Sequence, residues 1–474
     1  MKSTFTLFFF CFFISLVNAQ HEGHSHGAAK DTTKPPTPKP QENKTPAHDH
    51  GATGHSPSMA GHGQNNMSHA FSKNLPMNRN GSGTGWLPDN APMYGSMKHA
   101  DKWMYMLHGN VFVRYTKQDL LDKGSRGGSK FDAPNWAMLM GQRNVGRKGL
   151  VRFNVMLSLD PLTEGGAGYP LLFQTGESFN GKPLIDRQHP HDLFSELSVG
   201  YTHEISSRSD VFFYLGYPGE PALGPVAFMH RPSSLNNPDA PLTHHWVDAT
   251  HITFGVATLG YRFNKWKIEA SSFTGREPDE KRYNFDKPRF NSWSGRLSFN
   301  PSAKWALQTS HAFIKEPETL HPGEDVSRTT ASAMYSARGF GYRFFNATAV
   351  WGMNKIKGQA PAHGALLEAS AIKKRLAVFG KYEWVQKSVE ELGLDEQIFG
   401  HEALFAVHAL TAGVGFDLFS FGNTKVAVGT QFTFNNSDKR VSDFYGENPL
   451  GGQVYLRIYP GALGQKMGSI FLPY

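Results

Sequence analysis

Val151-Arg-Phe-Asn-Val-Met-Leu-Ser-Leu-Asp160 decides the fold. In an extended chain Val151, Phe153, Val155, Leu157 and Leu159 fall on one face, and Arg152, Asn154, Ser158 and Asp160 on the other, because successive strand side chains alternate. The same pattern returns in Leu376, Val378, Tyr382 and Trp384 against Arg375, Lys381 and Glu383. It returns again in Val426, Val428, Phe432 and Phe434 against Lys425, Gly429 and Gln431, and in Val454, Leu456 and Ile458 against Gln453 and Arg457. Each strand thus has one apolar and one polar face.

The connections separate a sandwich from a membrane barrel. Short turns fall near Asn144–Lys148, Ser206–Ser209, Asn264–Lys265, Pro301–Ala303, Arg338–Gly339, Lys373–Lys374 and Ser420–Asn423. Longer polar links alternate with them, among them Pro161–Pro190 and Pro218–His245. Short turns on one rim and long loops on the other characterise outer-membrane barrels. The expected fold is therefore all-β: a transmembrane antiparallel β-barrel of about sixteen strands, within a range of roughly 14–18. The last clear strand stops near Tyr459, which leaves open whether a further one runs from Met467 to Tyr474.

Composition agrees: glycine (49), phenylalanine (36) and tyrosine (16) are abundant and charged residues make up 19%, as suits β structure. A net charge of +8 without basic blocks gives no reason to expect nucleic acid as a partner. Lys2, the apolar run Phe5–Val17 and the small residue Ala19 have the layout of a secretory signal over residues 1–19. Cys11, inside that run, is the only cysteine, so thiolate ligands and disulfides are excluded from the expected mature chain. Export without an apolar helix long enough to span a bilayer is consistent with a bacterial outer-membrane location and outer-membrane lipid as a partner.

Residues 20–75 read as a disordered, His/Pro/Gly-rich tail with little to bury. Its histidines, His21, His24, His26, His48, His50, His55, His62 and His69, form His-x-His and His-Gly units that chelate Cu(II), Ni(II) or Zn(II). Residues 76–107 read as a loop-like lead-in, where Met93, Met97, Met104 and Met106 flank His99 and His108. Thioethers are soft ligands suited to Cu(I), though methionine is also ordinary apolar filler. The barrel is expected over residues 108–474.

Chemistry concentrates between Asp186 and His251. His189, His191, His230, His244, His245 and His251 are interleaved with Asp192, Glu196, Glu220 and Asp248. Imidazoles and carboxylates together bind transition metals or perform acid/base chemistry. The two flanking loops are too long to be structureless and are expected to fold over or into the mouth. A strand from Asp192 to Tyr201 would send Leu197, Val199 and Tyr201 to lipid and Glu196 to the lumen. A strand over Val247–Phe254 would send Ile252 and Phe254 to lipid and His251 inward. The candidate metal ligands are therefore His189, His191, Asp192, Glu196, His230, His244, His245, Asp248 and His251, with Arg187, Glu220 and Arg231 as loop-pinning or counter-ion residues.

The words Asp186-Arg-Gln-His-Pro-His-Asp192, Gly219–Arg231 and Leu242–His251, with Met106-Leu-His-Gly-Asn110 and Gly141-Gln-Arg143, resemble a largely uncharacterised bacterial outer-membrane β-barrel family. That family is associated with gene neighbourhoods for copper and other heavy-metal efflux. The resemblance implies a barrel and a connection to metal stress, and it brings no ligand residues with it. Three functions follow as expectations. The first is a barrel that binds or passes transition-metal ions, copper or another divalent metal, alongside periplasmic metal-handling or efflux proteins. The second is a barrel enzyme acting on lipid or lipopolysaccharide, with a histidine base oriented by Asp192, Glu196 or Asp248. The third is a general porin or structural barrel whose histidines only fix loops.

Overall fold

The computed structural model describes residues 68–339 and 341–463. The signal expected over residues 1–19 and the tail histidines from His21 to His62 lie outside the described residues. Sixteen long antiparallel strands close into a cylinder. They are β1 (Trp103–Gln118), β2 (Asn135–Val145), β3 (Gly149–Leu157), β4 (Phe194–Ser206), β5 (Ser209–Gly216), β6 (Val256–Phe263), β7 (Trp266–Phe273) and β8 (Ser292–Ser302). The second half is β9 (Trp305–Ile314), β10 (Val326–Gly339), β11 (Tyr342–Ile356), β12 (Ala362–Lys373), β13 (Leu376–Ser388), β14 (Leu404–Phe421), β15 (Thr424–Ser437) and β16 (Leu450–Pro460).

Closure is made by β16 on β1, with Gly452 opposite Lys117 and Ile458 opposite Val111. The strand ending at Pro460 is thus the closing one. Two short strands, Ser96–Ala100 and Gly128–Asp132, pair along β1 beside the seam. Each expected tight turn joins a hairpin on one rim, and the long links lie on the other. The alternation holds as read: Val199, Tyr201, Leu259, Ile268, Val378, Tyr382, Leu410, Phe432 and Val454 are exposed on the outer wall. Their neighbours Arg152, Glu196, Ser198, Lys267, Glu269, Glu383, Gln431 and Arg457 are buried on the inner one. Apolar outside and polar inside is the arrangement of a barrel in lipid.

A sixteen-strand barrel has room for an aqueous channel, but here two inserts fill it. The first precedes β1. Ser68–His69 pairs with Ser72–Pro76, and Phe71 packs on Phe212 and beside Tyr214 with the Arg152 guanidinium over its ring at 4.5 Å. Further on, Arg296 and Lys267 hold the Thr84 hydroxyl and carbonyl, and Asn300 holds the Leu87 carbonyl. The stretch 68–75, which composition places in the disordered tail, is therefore built into the lumen. A single aromatic anchor, Phe71, supplies the apolar contact that the polar residues around it lack. His69 is accordingly no tail chelator: its Nδ1 accepts from the Phe71 amide at 3.0 Å, and its ring packs edge-on against Trp86. The lead-in is likewise more ordered than a loop, with a 3-10 turn at Met77–Arg79, the strand Ser96–Ala100 and the start of β1 at Trp103.

The second insert is the β5–β6 link, which drops into the barrel and touches the wall on many sides. Ala222 and Gly224 amides donate to Ser271 and Ser310. Ser233 meets Thr348 and Glu368, Thr243 meets Glu383, and Asp239 binds Arg114, Gln431 and Gln453. At its centre Arg231 lies between Asp248 and Glu368, both at 2.7 Å, with all three side chains almost wholly enclosed. Trp246 is seated on β11 and β12 because Gly352 and Gly364 carry no side chain there; a Cβ on Gly352 would come within 2.4 Å of the Trp246 carbonyl oxygen.

The expected strand over Val247–Phe254 does not form. His244–Val247 is one helical turn and Ala249–His251 a 3-10 turn. Ile252 and Phe254 are buried instead of facing lipid. Phe254 packs edge-on against Tyr217 and against Phe285 of the β7–β8 link, so the long links bury it and its apolar side chain gives no reason to place it on the outer wall.

A candidate metal centre in the lumen

The Pro161–Pro190 link folds into a hairpin, Tyr169–Phe179 with Lys182–Gln188, and delivers His189 and His191 beside the second insert. Five imidazoles meet there. Ring centroids are 5.8 Å apart for His189 and His245, 5.2 Å for His244 and His245, and 5.1 Å for His244 and His251. His191 joins through His251 at 5.4 Å, with the Phe228 ring forming a shared apolar wall. Ligand nitrogens of His189, His244 and His245 all lie within 4.8 Å of one another.

The hydrogen bonds fix the state of these rings. His191 Nδ1 lies 2.7 Å from Asp160 Oδ2, and His244 Nδ1 lies 2.7 Å from Asp248 Oδ1. His251 Nδ1 is 2.8 Å from the Asp248 carbonyl oxygen, and His189 Nδ1 is 3.2 Å from Glu177 Oε1. His245 Nδ1 faces Glu277 Oε1 at 3.6 Å. Carboxylate and carbonyl oxygens only accept, so in the neutral ring of His191, His244 or His251 the proton is on Nδ1 and the Nε2 lone pair is left free. Nε2 of His191, His245 and His251 is buried with no hydrogen-bond partner. Such orphaned buried acceptors are costly. A carboxylate on Nδ1 with Nε2 free is the arrangement by which proteins orient metal-binding histidines. Burial holds His189, His244 and His251 below their ordinary pKa, which keeps the rings in the form that binds metal. Burial opposes the charge of Asp248, yet Arg231 and His244 keep it below the usual carboxylate range.

Nitrogens bound tetrahedrally at ~2.05 Å would sit about 3.3 Å apart, so small ring rotations would close the cage on an ion. Above it opens a vestibule of about 360 Å³ on the long-loop side. Nine acidic side chains line it, including Glu277, Glu390 and Glu391, against only Lys281 and Arg328 as cations; burial raises the pKa of two of the nine, Glu177 to about 8 and Glu318 to about 7. A low-dielectric cleft of one sign focuses counter-ions toward its floor, and His245 lines that floor.

Other candidate residues sit elsewhere. Asp192 pairs with Arg282 at 3.3 Å. Glu196 binds Arg152, Asn154, Ser198 and Tyr214 on the wall. Both serve as counter-charges for arginines: Glu196 for Arg152 on the wall, where strand alternation turned it inward, and Asp192 for Arg282 of the β7–β8 link. His230 leaves the cage too and packs between His108 and Trp136. Asp248 orients His244 and has no free oxygen, since Oδ2 accepts from Arg231 and the Phe228 amide. Arg187 donates to the carbonyls of Ala167 and Gly168. Glu220 backs the N-terminal insert at Gly83, and burial raises its pKa to about 8. Sequence reasoning missed the orienting carboxylates Asp160, Glu177 and Glu277, which sit far along the chain from the rings they hold and carry no local signal.

Gly176 is shaped around the cage. Its φ is +119°, and a Cβ there would come within 2.1 Å of the His245 ring. Gly176→Ala is expected to displace that imidazole and weaken Zn(II) binding by roughly 10–100-fold, the cost of disturbing a ligand's support, with barrel assembly unchanged; calorimetric titration of the folded variant would measure it.

No protein-family model matches the sequence, and no curated protein is detectably similar. The resemblance to efflux-associated barrels thus gains no support from relatives. Among solved structures, OmpF of Salmonella typhi in complex with daunomycin aligns over 77% of this chain and 100% of its own, at 10% identity and a TM-score of 0.48. An anion-selective porin from Comamonas acidovorans aligns over 75% and 99%, at 13% identity and a TM-score of 0.46. The channel DcaP of Acinetobacter baumannii aligns over 77% and 100%, at 9% identity and a TM-score of 0.40. Likeness at this level carries no argument about what the lumen binds. The strand topology and apolar outer belt decide the matter of place. The chain is an outer-membrane β-barrel. Two inserts fill its interior.

Proposed function

We propose that the barrel captures a divalent transition-metal ion, copper(II), zinc or nickel, in the imidazole cage at the floor of its acidic vestibule. One observation carries this reading: Nδ1 of His191, His244 and His251 is hydrogen-bonded to an acceptor oxygen, and in the same five-ring cluster the Nε2 acceptors of His191 and His251, with Nε2 of His245, are buried and unpartnered. Loop-pinning alone accounts for the Nδ1 bonds and leaves those acceptors unexplained. The two inserts that cross the lumen narrow the path that a general porin would offer. For a lipid-modifying enzyme, Asp192 and Glu196 orient no histidine, and the His244–Asp248 pair lies inside the barrel, away from lipid.

Imidazole sites take Zn, Cu or Ni, whereas Mg and Ca prefer oxygen. Equilibrium dialysis of the detergent-solubilised full chain is therefore expected to retain Zn(II) or Ni(II) in excess of Mg(II), and to lose about one equivalent on combined His189→Ala, His244→Ala and His245→Ala substitution. Equal retention by this variant would assign all binding to the tail and refute the reading.

A further inference from the structure

The cage leaves a second concentration of ligand atoms unused. Nine of the protein's fifteen methionines pack into one cluster between β1, β2, β3 and the two inserts. The register aligns them: Met106 stands opposite Met140, His108 opposite Met138, and Met138 opposite Met156. Methionines at alternate positions of a strand share a face, so the pairs Met104/Met106 and Met138/Met140 both turn inward, where they are buried.

These thioethers surround space. A cavity of about 80 Å³ is lined by Met93, Met106, Met138, Met140 and Met229 together with His108 and His230. The two rings are 5.8 Å apart between centroids, and His108 Nε2 is buried with no hydrogen-bond partner. No carboxylate lines the cavity, and its single charged side chain is Arg457. Methionine as plain filler closes gaps; here it borders a gap that is also lined by His108, whose Nε2 has no partner. A hard dication would find neither oxygen ligands nor counter-charge, while thioether and imidazole together suit a soft cation of single charge.

We infer that this chamber is a second metal site, one for cuprous copper held by methionine sulfurs and His108. It stands on residues that the imidazole cage does not use and does not depend on the function proposed for that cage. A smaller cavity of about 50 Å³, lined by His189, His191 and Phe228 on one side and Trp136 and Met229 on the other, lies between them. The chamber is on the short-turn side of the cage: the Met93 carbonyl accepts from the Leu463 amide, and Asn423 of the β14–β15 turn holds the Gly95 carbonyl. The inference concerns binding, and copper enters it already as Cu(I).

The test uses the full chain in detergent, with Cu(I) supplied anaerobically against a chromogenic chelator, and compares it with a Met106→Leu/Met138→Leu/Met140→Leu variant. Leucine conserves volume, a change cores tolerate well, and removes the sulfurs while leaving the tail's methionines in both proteins. The variant is expected to hold about one equivalent fewer, and the sulfur contribution to the copper X-ray absorption spectrum to fall. Zn(II) retention at the cage should not change. Equal Cu(I) stoichiometry and affinity in both proteins would overturn the inference. So would an unaltered protein whose bound copper shows nitrogen neighbours alone. If the triple variant does not assemble, His108→Leu gives the same comparison, with a loss of at least about tenfold in Cu(I) affinity expected and an unchanged affinity contradicting the site.

Discussion

Replacing His244 by alanine is expected to abolish divalent-metal retention in the barrel while leaving the strands intact. His244 is the hub of the cage, with ring neighbours in His189, His245 and His251 and a nitrogen in the cluster whose ligand atoms lie within 4.8 Å. Its loss removes one ligand and leaves Asp248 Oδ1 without its donor. The affinity for Zn(II) should fall by more than the roughly 10–100-fold that loss of an outer partner alone costs. His244→Gln separates chemistry from packing, since an amide fills similar space and is a poor ligand for these ions; it too should fail to hold metal. Competition titration on folded protein measures both. A His244→Ala barrel with unchanged affinity would remove His244 from the site.

Arg231→Met should open the barrel. The guanidinium is completely enclosed and neutralises Asp248 and Glu368, both at 2.7 Å, while also donating to the Val226 carbonyl. Removing one member of a buried ionic group typically costs about 3–5 kcal/mol, because the remaining charges stay desolvated and unpaired. The strands are tied to each other by the closed ladder, so the penalty falls on the insert. Release of that insert would leave a lumen of porin width. The unaltered barrel should show little or no conductance in planar bilayers, and Arg231→Met should show long-lived openings. Adding Glu368→Gln removes one orphaned charge and should partly restore closure. Identical conductance traces for Arg231→Met and the unaltered protein would show that the triad does not hold the insert.

The barrel was legible because lipid imposes a rule on every residue of a strand: Val199 and Tyr201 must face out where Glu196 and Ser198 face in. Turn length supplied the rest, since two-residue links such as Asn264–Lys265 admit only a hairpin. The site was legible in part. Density of histidine identified His189, His191, His244, His245 and His251, which do gather, but it could not separate His230, which shares the β5–β6 link with three of them and packs instead on His108 and Trp136. The lumen's contents were the hidden element. Where inserts and long links pack on each other, apolar residues gain a second place to be buried, so Phe254, packed on Tyr217 and Phe285, stops reporting on lipid. The stretch from Ser68 to Leu75 likewise gains a partner that its own composition does not announce. The alternate-position methionine pairs on β1 and β2 were the one readable sign of the lower chamber, and they needed the β1–β2 register to acquire meaning.

The most direct test of the imidazole cage is an anomalous-scattering map from crystals of the full chain grown with Ni(II). A peak bounded by His189, His244 and His245, each presenting Nε2, is the predicted result. A map with no nickel among those three rings, or with those nitrogens turned onto protein hydrogen-bond donors, would contradict it.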